Sequence, residues 1–335
     1  MSKIKSLEIV DAETLYHEPQ RKVPQFIEGL LPQGLNILCG ASKIGKSWLM
    51  LWLCLQITKG ESVWARESTQ TDVLYLCLED TYARIQERLH RLTDDPPEGL
   101  RFSLLCGRIG DGLEDEIESA LAQHPSTKLI VIDTLQKVRR DVSSSVNAYS
   151  HDYSELSKLK TIADTHGICI LLVHHIRKLA DGRDPMNEVS GSTGITGTVD
   201  TIYVLKKDSR FSAMATLYVS GRDVEQQELS LKFENTVWRL VEYKGQAELH
   251  KESIPDFVYH VAVFMEGKSK WTGSMTQLLF EMSIDDLQPS AASRYLTRFC
   301  YEALTPVGIH YSTRRTGKER TLTLRKGDGG DANDA

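Results

Sequence analysis

Short apolar runs that end in polar residues recur through the first two thirds of the chain. Residues 35–39, 73–78, 129–132 and 168–173 are each β-prone and apolar at nearly every position. Runs of this kind, without polar–apolar alternation, predict parallel strands buried on both faces. Between them lie segments of helical character. These are 48–57, 81–92 with Ile85, Leu89 and Leu92 on one face, 111–122 ended by His124-Pro125, and 153–166. A further strand is expected at 102–106. Strands alternating with helices predict an α/β fold with a mostly parallel central sheet. Residues 200–205 add a strand. Residues 213–220, 229–233 and 238–241 predict antiparallel strands that close the sheet, the first two joined through 221–223. Ahead of them, Pro24, Phe26, Ile27, Leu30, Leu31 and Pro32 predict a lead-in segment packed on the core.

The pattern changes near residue 242. Residues 243–254 are polar and read as a linker. Helices are expected at 255–265, at 271–282 capped by Thr272 or Ser274, and at 289–304. Two alternating runs around Thr316-Gly317 then predict a hairpin over 308–326. The resulting plan is a lead-in segment at 1–30, an α/β core at 31–242, a linker at 243–254, a winged-helix-like domain at 255–326 and a disordered acidic tail at 327–335.

Composition narrows the class without choosing a function. The 335 residues are 41% hydrophobic and 26% charged, with a net charge of −6. These values suit a soluble globular chain, and contact with nucleic acid must then rest on local patches. Cys39, Cys54, Cys77, Cys106, Cys169 and Cys300 form no C-x-x-C pair, and most lie in apolar runs. Reduced core thiols in a cytoplasmic protein are expected, with no zinc site. The N-terminus reads as polar, without a secretory signal. The longest apolar run, 48–57, is too short to span a bilayer.

The chemistry is concentrated where the apolar runs end. Gly40, Ala41, Ser42, Lys43, Ile44, Gly45, Lys46 and Ser47 fit G-x-x-x-x-G-K-[ST], between a strand and a helix that opens at Trp48. A glycine loop in that setting cradles phosphates with backbone N–H groups and the helix N-terminus. Lys46 then reaches the β- and γ-phosphates of ATP, and the Ser47 hydroxyl ligates Mg²⁺. The competing account is a plain glycine turn between two core elements. The strand at 73–78 ends in Glu79 and Asp80. Glu79 is the candidate for positioning the attacking water, with Asp80 or Thr81 as a helix cap. Asp133 ends the strand at 129–132 and is the candidate second anchor for Mg²⁺. His174-His175 ends the next strand. Adjacent strand residues point to opposite faces, so a shared metal is not expected; one histidine is expected to sense the γ-phosphate.

These motifs together resemble those of RecA-like hexameric ATPases, most closely the plasmid RepA-type helicases and the AAA_25 group, and more distantly the DnaB-type helicases. The resemblance spans about residues 25–242. It implies that Glu79 is the catalytic carboxylate, Lys46 and Asp133 act on the phosphates and Mg²⁺, and His174 is the γ-phosphate sensor. It also implies that Arg222 is an arginine finger offered to a neighbouring subunit. Lys206, Lys207 and Arg210 are alternatives, and Ser220 departs from the basic residue often found there. The basic loops at Lys137, Arg139 and Arg140 and at Arg177, Lys178 and Arg183 match channel loops that meet DNA, or are ordinary surface charge. Arg314, Arg315, Lys318 and Arg320 would form a basic wing on nucleic acid, or a charge-protected hairpin edge. No counterpart of the large N-terminal domain of DnaB-type helicases is expected, which favours the compact RepA-type comparison.

The expected function is a ring ATPase, a hexamer, that moves on single-stranded DNA as a helicase of a mobile element. A plasmid or phage replication initiator is an expected partner, and no membrane is. The alternatives are a nucleotide-gated DNA-binding or assembly ATPase and a filament-forming recombination ATPase.

Overall fold

The computed structural model describes residues 9–19, 22–140, 148–176, 185–188, 193–207, 209, 211–316 and 319–327. The chain divides into two compact units, 1–245 and 246–335. Among the described residues no helix is long and apolar enough to cross a membrane.

The first unit runs α1 (Ala12–His17), β1 (Gln25–Ile27), β2 (Leu31–Pro32), β3 (Gly34–Gly40), α2 (Lys46–Lys59), β4 (Asp72–Cys77), α3 (Tyr82–Leu92), β5 (Leu100–Ser103), α4 (Leu113–Gln123), β6 (Thr127–Asp133), α5 (Leu135–Val138), α6 (Ala148–His166), β7 (Cys169–His175), α7 (Thr193–Thr198), β8 (Thr201–Lys206), β9 (Met214–Gly221), β10 (Gln227–Glu234) and β11 (Val237–Lys244). Nine strands form one sheet in the order β11-β10-β9-β8-β3-β7-β6-β4-β5. The strands from β8 to β5 in that order pair in parallel. Strands β9, β10 and β11 extend the sheet antiparallel. The expected α/β sheet is therefore present, with its central strand leading into the glycine loop.

Helices cover both faces of the parallel strands. Side chains alternate across each strand. Leu129 and Val131 of β6 and Leu171 and Val173 of β7 pack on the side of α2 and Ile85 of α3. Ile130, Ile132, Ile170 and Leu172 pack against α4 and α6 on the other. Helix α2 is apolar on most sides because it is covered on most sides. Phe26 and Leu30 of the lead-in segment and Trp238 of β11 join its core cluster.

Several elements differ from expectation. The short strand expected at 102–106 is β5, shifted earlier. Helix α6 begins several residues before 153. Thr81 caps α3, accepting from the Arg84 N–H at 3.3 Å, while Asp80 takes another role described below.

The second unit contains α8 (Gln246–Glu252), α9 (Asp256–Phe264), β12 (Lys270–Gly273), α10 (Met275–Glu281), α11 (Pro289–Phe299), β13 (Ile309–Thr316) and β14 (Glu319–Lys326). Its sheet order is β12-β14-β13. Residues 246–252, read from sequence as linker, are helical. The start of the helix expected at 271–282 is instead strand β12, paired with β14 through Trp271↔Leu324. Ser274, not Thr272, caps α10, in a reciprocal capping box with Gln277. Val258, Val261, Leu278, Ala292, Leu296 and Leu324 form the unit's own fully buried core.

Candidate functional site

The glycine loop opens where β3 ends. Lys43 has φ +64° and Gly45 φ +100°, left-handed turns that let the chain reverse into α2. At Gly40 a Cβ would lie 2.8 Å from both Ile44 Cδ1 and the Leu205 carbonyl, so a side chain is excluded there. The loop is braced from the far edge of the sheet. Trp238, 0% exposed, donates its indole N–H to the Gly45 carbonyl at 3.2 Å. Ser42–Gly45, Ser47 and Trp48 line a cleft of ≈ 580 Å³ with Glu79, Asp80, Asp133 and His175 on its other walls.

Lys46 is 4% exposed. Its ammonium donates to the carbonyls of Gly40 at 2.7 Å and Ala41 at 2.8 Å, and lies 3.0 Å from His175 Nδ1. A lysine has no acceptor, so His175 Nδ1 accepts and its proton sits on Nε2. That nitrogen is 3.6 Å from a Glu79 carboxylate oxygen. Thr134 donates to the other Glu79 oxygen at 3.2 Å. Burial pulls Lys46 down to about 8 from 10.5, against the pull of Asp133, Cys39 and Glu79 in the opposite direction.

Asp133 ends β6 beneath the loop. Its Oδ2 accepts from Ser47 Oγ at 2.9 Å and from the Tyr75 hydroxyl at 3.0 Å. The Asp133–Thr134 peptide is cis. Burial raises the Asp133 carboxyl above its usual range, partly offset by those two donors and by Lys46. A buried carboxylate beside a serine hydroxyl is a hard, anionic oxygen pair. It suits Mg²⁺, which takes few protein ligands and completes its shell with water and phosphate.

A second charge cluster lines the same cleft. Asp80 pairs with Arg84 at 3.0 Å and with Arg88 on the next turn of α3. Arg88 also stacks over Trp48, 5.5 Å from the ring. Lys207, after β8, lies 5.1 Å from the Trp238 ring and 6.0 Å from Phe233.

Glu79, Lys46, Ser47, Asp133, Trp48 and the loop 40–47 are thus brought together as expected. His174 is not, and its neighbour His175 lines the cleft in its place. His174 is 8% exposed and lies on the strand face of Ile170 and Leu172, away from α2. His175 continues the face of Leu171 and Val173, which is the face of the loop. Both faces of β7 are apolar, so the sequence carried no alternation from which to choose.

Arg222 is not in this cleft. β9 runs antiparallel to β8, with Gly221 opposite Thr201, which puts Arg222 at the other end of the sheet. It donates to the Gly197 carbonyl at 3.3 Å and lies 3.5 Å from Asp200, with its side chain 62% exposed. Arg139, expected on DNA, is instead sequestered. It pairs with Asp152 and, at 3.2 Å, with Glu155 of α6, and both carboxylates are buried. Arg140 has an exposed side chain, and its backbone N–H donates to Glu155 at 3.0 Å. Arg314, Arg315 and Arg320 lie exposed on the hairpin of the second unit. Arg177, Lys178, Arg183, Arg210 and Lys318 lie outside the described residues, as does the tail from 328.

Tyr75, Thr134, Arg84, Arg88, Phe233 and Trp238 complete the site without having been singled out from sequence, together with His175, there one of two candidate histidines, and Lys207, there an alternative to Arg222. Among those missed, only Arg84 and Arg88 left a signal, a four-residue spacing along a helix that starts at an acid.

A parallel sheet with a glycine loop after its central strand, and acids at the ends of two other strands, defines a RecA-like P-loop ATPase. The comparisons agree. Residues 2–181, more than half of the chain, match the AAA domain family AAA_25, and the chain belongs to that family. Among solved structures, the ATPase domain of G40P is similar with a TM-score of 0.51 at 13% identity, over 63% of this chain and 85% of that one. A DnaB-like replicative helicase, described with its interactions with primase, gives 0.49 at 13% identity, over 65% of this chain and 58% of that one. At such identity the likeness to G40P establishes the fold. No curated protein sequence matches the chain.

Proposed function

We propose that the chain hydrolyses ATP with Mg²⁺ as a ring-forming motor on single-stranded DNA, a helicase of the RepA type serving a mobile element. The observation that carries the hydrolytic part is the convergence of Lys46, Ser47, Asp133, Glu79 and His175 on one cleft. Ser47 and Asp133 would hold Mg²⁺, which neutralises charge on the phosphates. Lys46 exchanges its loop carbonyls for phosphate oxygens. Glu79, held by Thr134 on one side and facing His175 on the other, orients the attacking water and takes its proton. His175, released by Lys46, is free to turn its N–H toward the γ-phosphate end of the cleft and donate to a phosphate oxygen.

The ring rests on Arg222. It lies far from its own cleft, exposed and loosely held, which suits delivery to a neighbour's site. Arginine supplied in this way is worth about 10³–10⁵ in turnover. ATP hydrolysis is measured with and without single-stranded DNA, for wild type and for Glu79→Gln and Arg222→Ala. DNA-stimulated turnover lost in both variants is the expected result. Arg222→Ala turning over like wild type sinks the ring assignment.

One observation favours a different reading. Arg84 and Arg88 already place two guanidiniums in the chain's own cleft, as a nucleotide-gated binding or assembly ATPase would need. That reading expects nucleotide binding, slow turnover and no stimulation by single-stranded DNA.

A further inference from the structure

In the second unit, charge is distributed unevenly. Helices α8 to α10 hold Glu248, Glu252, Asp256 and Glu281 against the single cation Lys251, whereas α11 and β13 hold Arg294, Arg298, Arg314 and Arg315 and no acid. On α11, Ala292, Leu296 and Phe299 are buried. Ser290, Arg294, Thr297 and Arg298 are exposed and share the outer side of the helix.

The hairpin adds a second, independent sign. Arg315 stands directly opposite Arg320 across the two strands. By alternation Arg315 shares the sheet face of Ile309, and Arg320 that of Leu322 and Leu324. Those three residues are in the core with Leu296 and Phe299 of α11. Both guanidiniums therefore lie beyond the core edge, on the sheet face against which α11 packs. Like charges placed opposite each other on a hairpin destabilise it. Among the described residues neither arginine makes an ion pair. Thr297 Oγ1, 3.4 Å from the Tyr311 hydroxyl, ties the exposed edge of α11 to β13.

We infer that this surface binds duplex DNA, with α11 in the major groove and Arg315 and Arg320 on backbone phosphates. The shape decides among nucleic acids. The major groove of B-DNA, about 12 Å wide, admits a helix, whereas that of A-form RNA is too deep and narrow for side chains to read. Single strands are held on aromatic platforms, and α11 exposes polar and cationic side chains between 290 and 298. Arg294 and Arg298 are one helical turn apart, about 6 Å along the axis, close to two base steps of about 3.4 Å. Arginine on a base edge pairs best with guanine. This contact is independent of the single-stranded DNA assigned above to the ATPase unit.

The test uses the full chain without nucleotide, a randomised duplex library, and matched single-stranded and RNA oligonucleotides, read by selection and then by fluorescence anisotropy. An enriched guanine-containing sequence is expected. Arg294→Gln and Arg298→Gln should each lower affinity for it roughly five- to 150-fold while leaving random duplex bound. Arg315→Gln with Arg320→Gln should weaken all duplexes alike and reduce the salt slope by about 0.9 per lost contact. Basal ATP hydrolysis should be unchanged in these variants, which reports that the fold is intact. Lys46→Ala should lose hydrolysis and keep duplex binding, so failure of the motor assignment and failure of this one are separable. Duplex bound without any enriched sequence overturns the groove assignment. Binding no tighter to duplex than to single strands or RNA, or insensitive to the hairpin variants, overturns the duplex assignment.

Discussion

The protein carries two cationic clusters built on opposite terms. In the cleft, three cations already have partners: Lys46 holds carbonyls and lies against His175, and Arg84 and Arg88 share Asp80. On the hairpin, Arg315 and Arg320 face each other, and among the described residues neither makes an ion pair. The first cluster is preorganised and partly desolvated, so a phosphate must replace existing bonds and specificity follows from geometry. The second is solvated and self-repelling, so any polyanion relieves it and affinity should follow salt. Burial separates them: it pulls Lys46 down to about 8, whereas Arg315 and Arg320 are exposed.

The largest expected effect separates the two clusters completely. Glu79→Gln should lower turnover about 10²–10⁴-fold and leave DNA affinity measured without nucleotide unchanged. A parallel loss of DNA binding in that titration would show that the clusters are not independent.

Asp80→Asn makes the cleft resemble the hairpin by removing the charge that holds Arg84 and Arg88. Thermal or denaturant unfolding should show a loss of about 2 kcal/mol. Nucleotide binding should tighten about tenfold, ~1.4 kcal/mol, as both guanidiniums turn to phosphate. Weaker binding would mean that Asp80 positions the arginines for nucleotide.

The Lys46 pKa predicts a pH effect with a definite sign. Its value in the folded protein, about 8, lies below the usual 10.5. Above about 8 the folded protein holds the amine neutral, and ATP binding must first recharge it. Affinity for ATP should therefore fall as pH rises beyond about 8, by up to roughly tenfold per pH unit. Stability moves the other way: the buried ammonium is a cost below about 8 that is relieved between about 8 and 10.5. Nucleotide titrations and unfolding on either side of that pH measure both, and a flat affinity profile would contradict the assignment of Lys46.

The smallest effect lies on the hairpin. Arg320→Thr removes one of two opposed like charges and should raise stability by about 0.2–1 kcal/mol while weakening duplex binding. A lower melting temperature would make the pair structural.

What the sequence disclosed follows the same division between local and distant. The convergence of the loop 40–47, Glu79 and Asp133 on one cleft is legible because each is marked by a short run and its position at a strand end. His175 is not, because a strand apolar on both faces hides which parity faces α2. Arg139 reads as a free loop cation because its acids, Asp152 and Glu155, are more than a dozen residues away on α6. Tyr75 looks like any aromatic in a buried strand until β6 sets Asp133 beside it. Trp238 is farther still, 193 residues from Gly45, and no local rule links the two. The second unit shows a related limit: β12 was hidden because its strand forms only by pairing with β14, at the end of the chain.

The brace between Trp238 and Gly45 has a consequence for the order of events during synthesis. The phosphate loop leaves the ribosome early, but the indole that sets it belongs to the last strand of its sheet. A nascent chain that stops short of β11 has the motif and lacks its support. Nucleotide would then be gripped only once the sheet is complete to its far edge, so a chain released early would not compete for ATP with finished molecules.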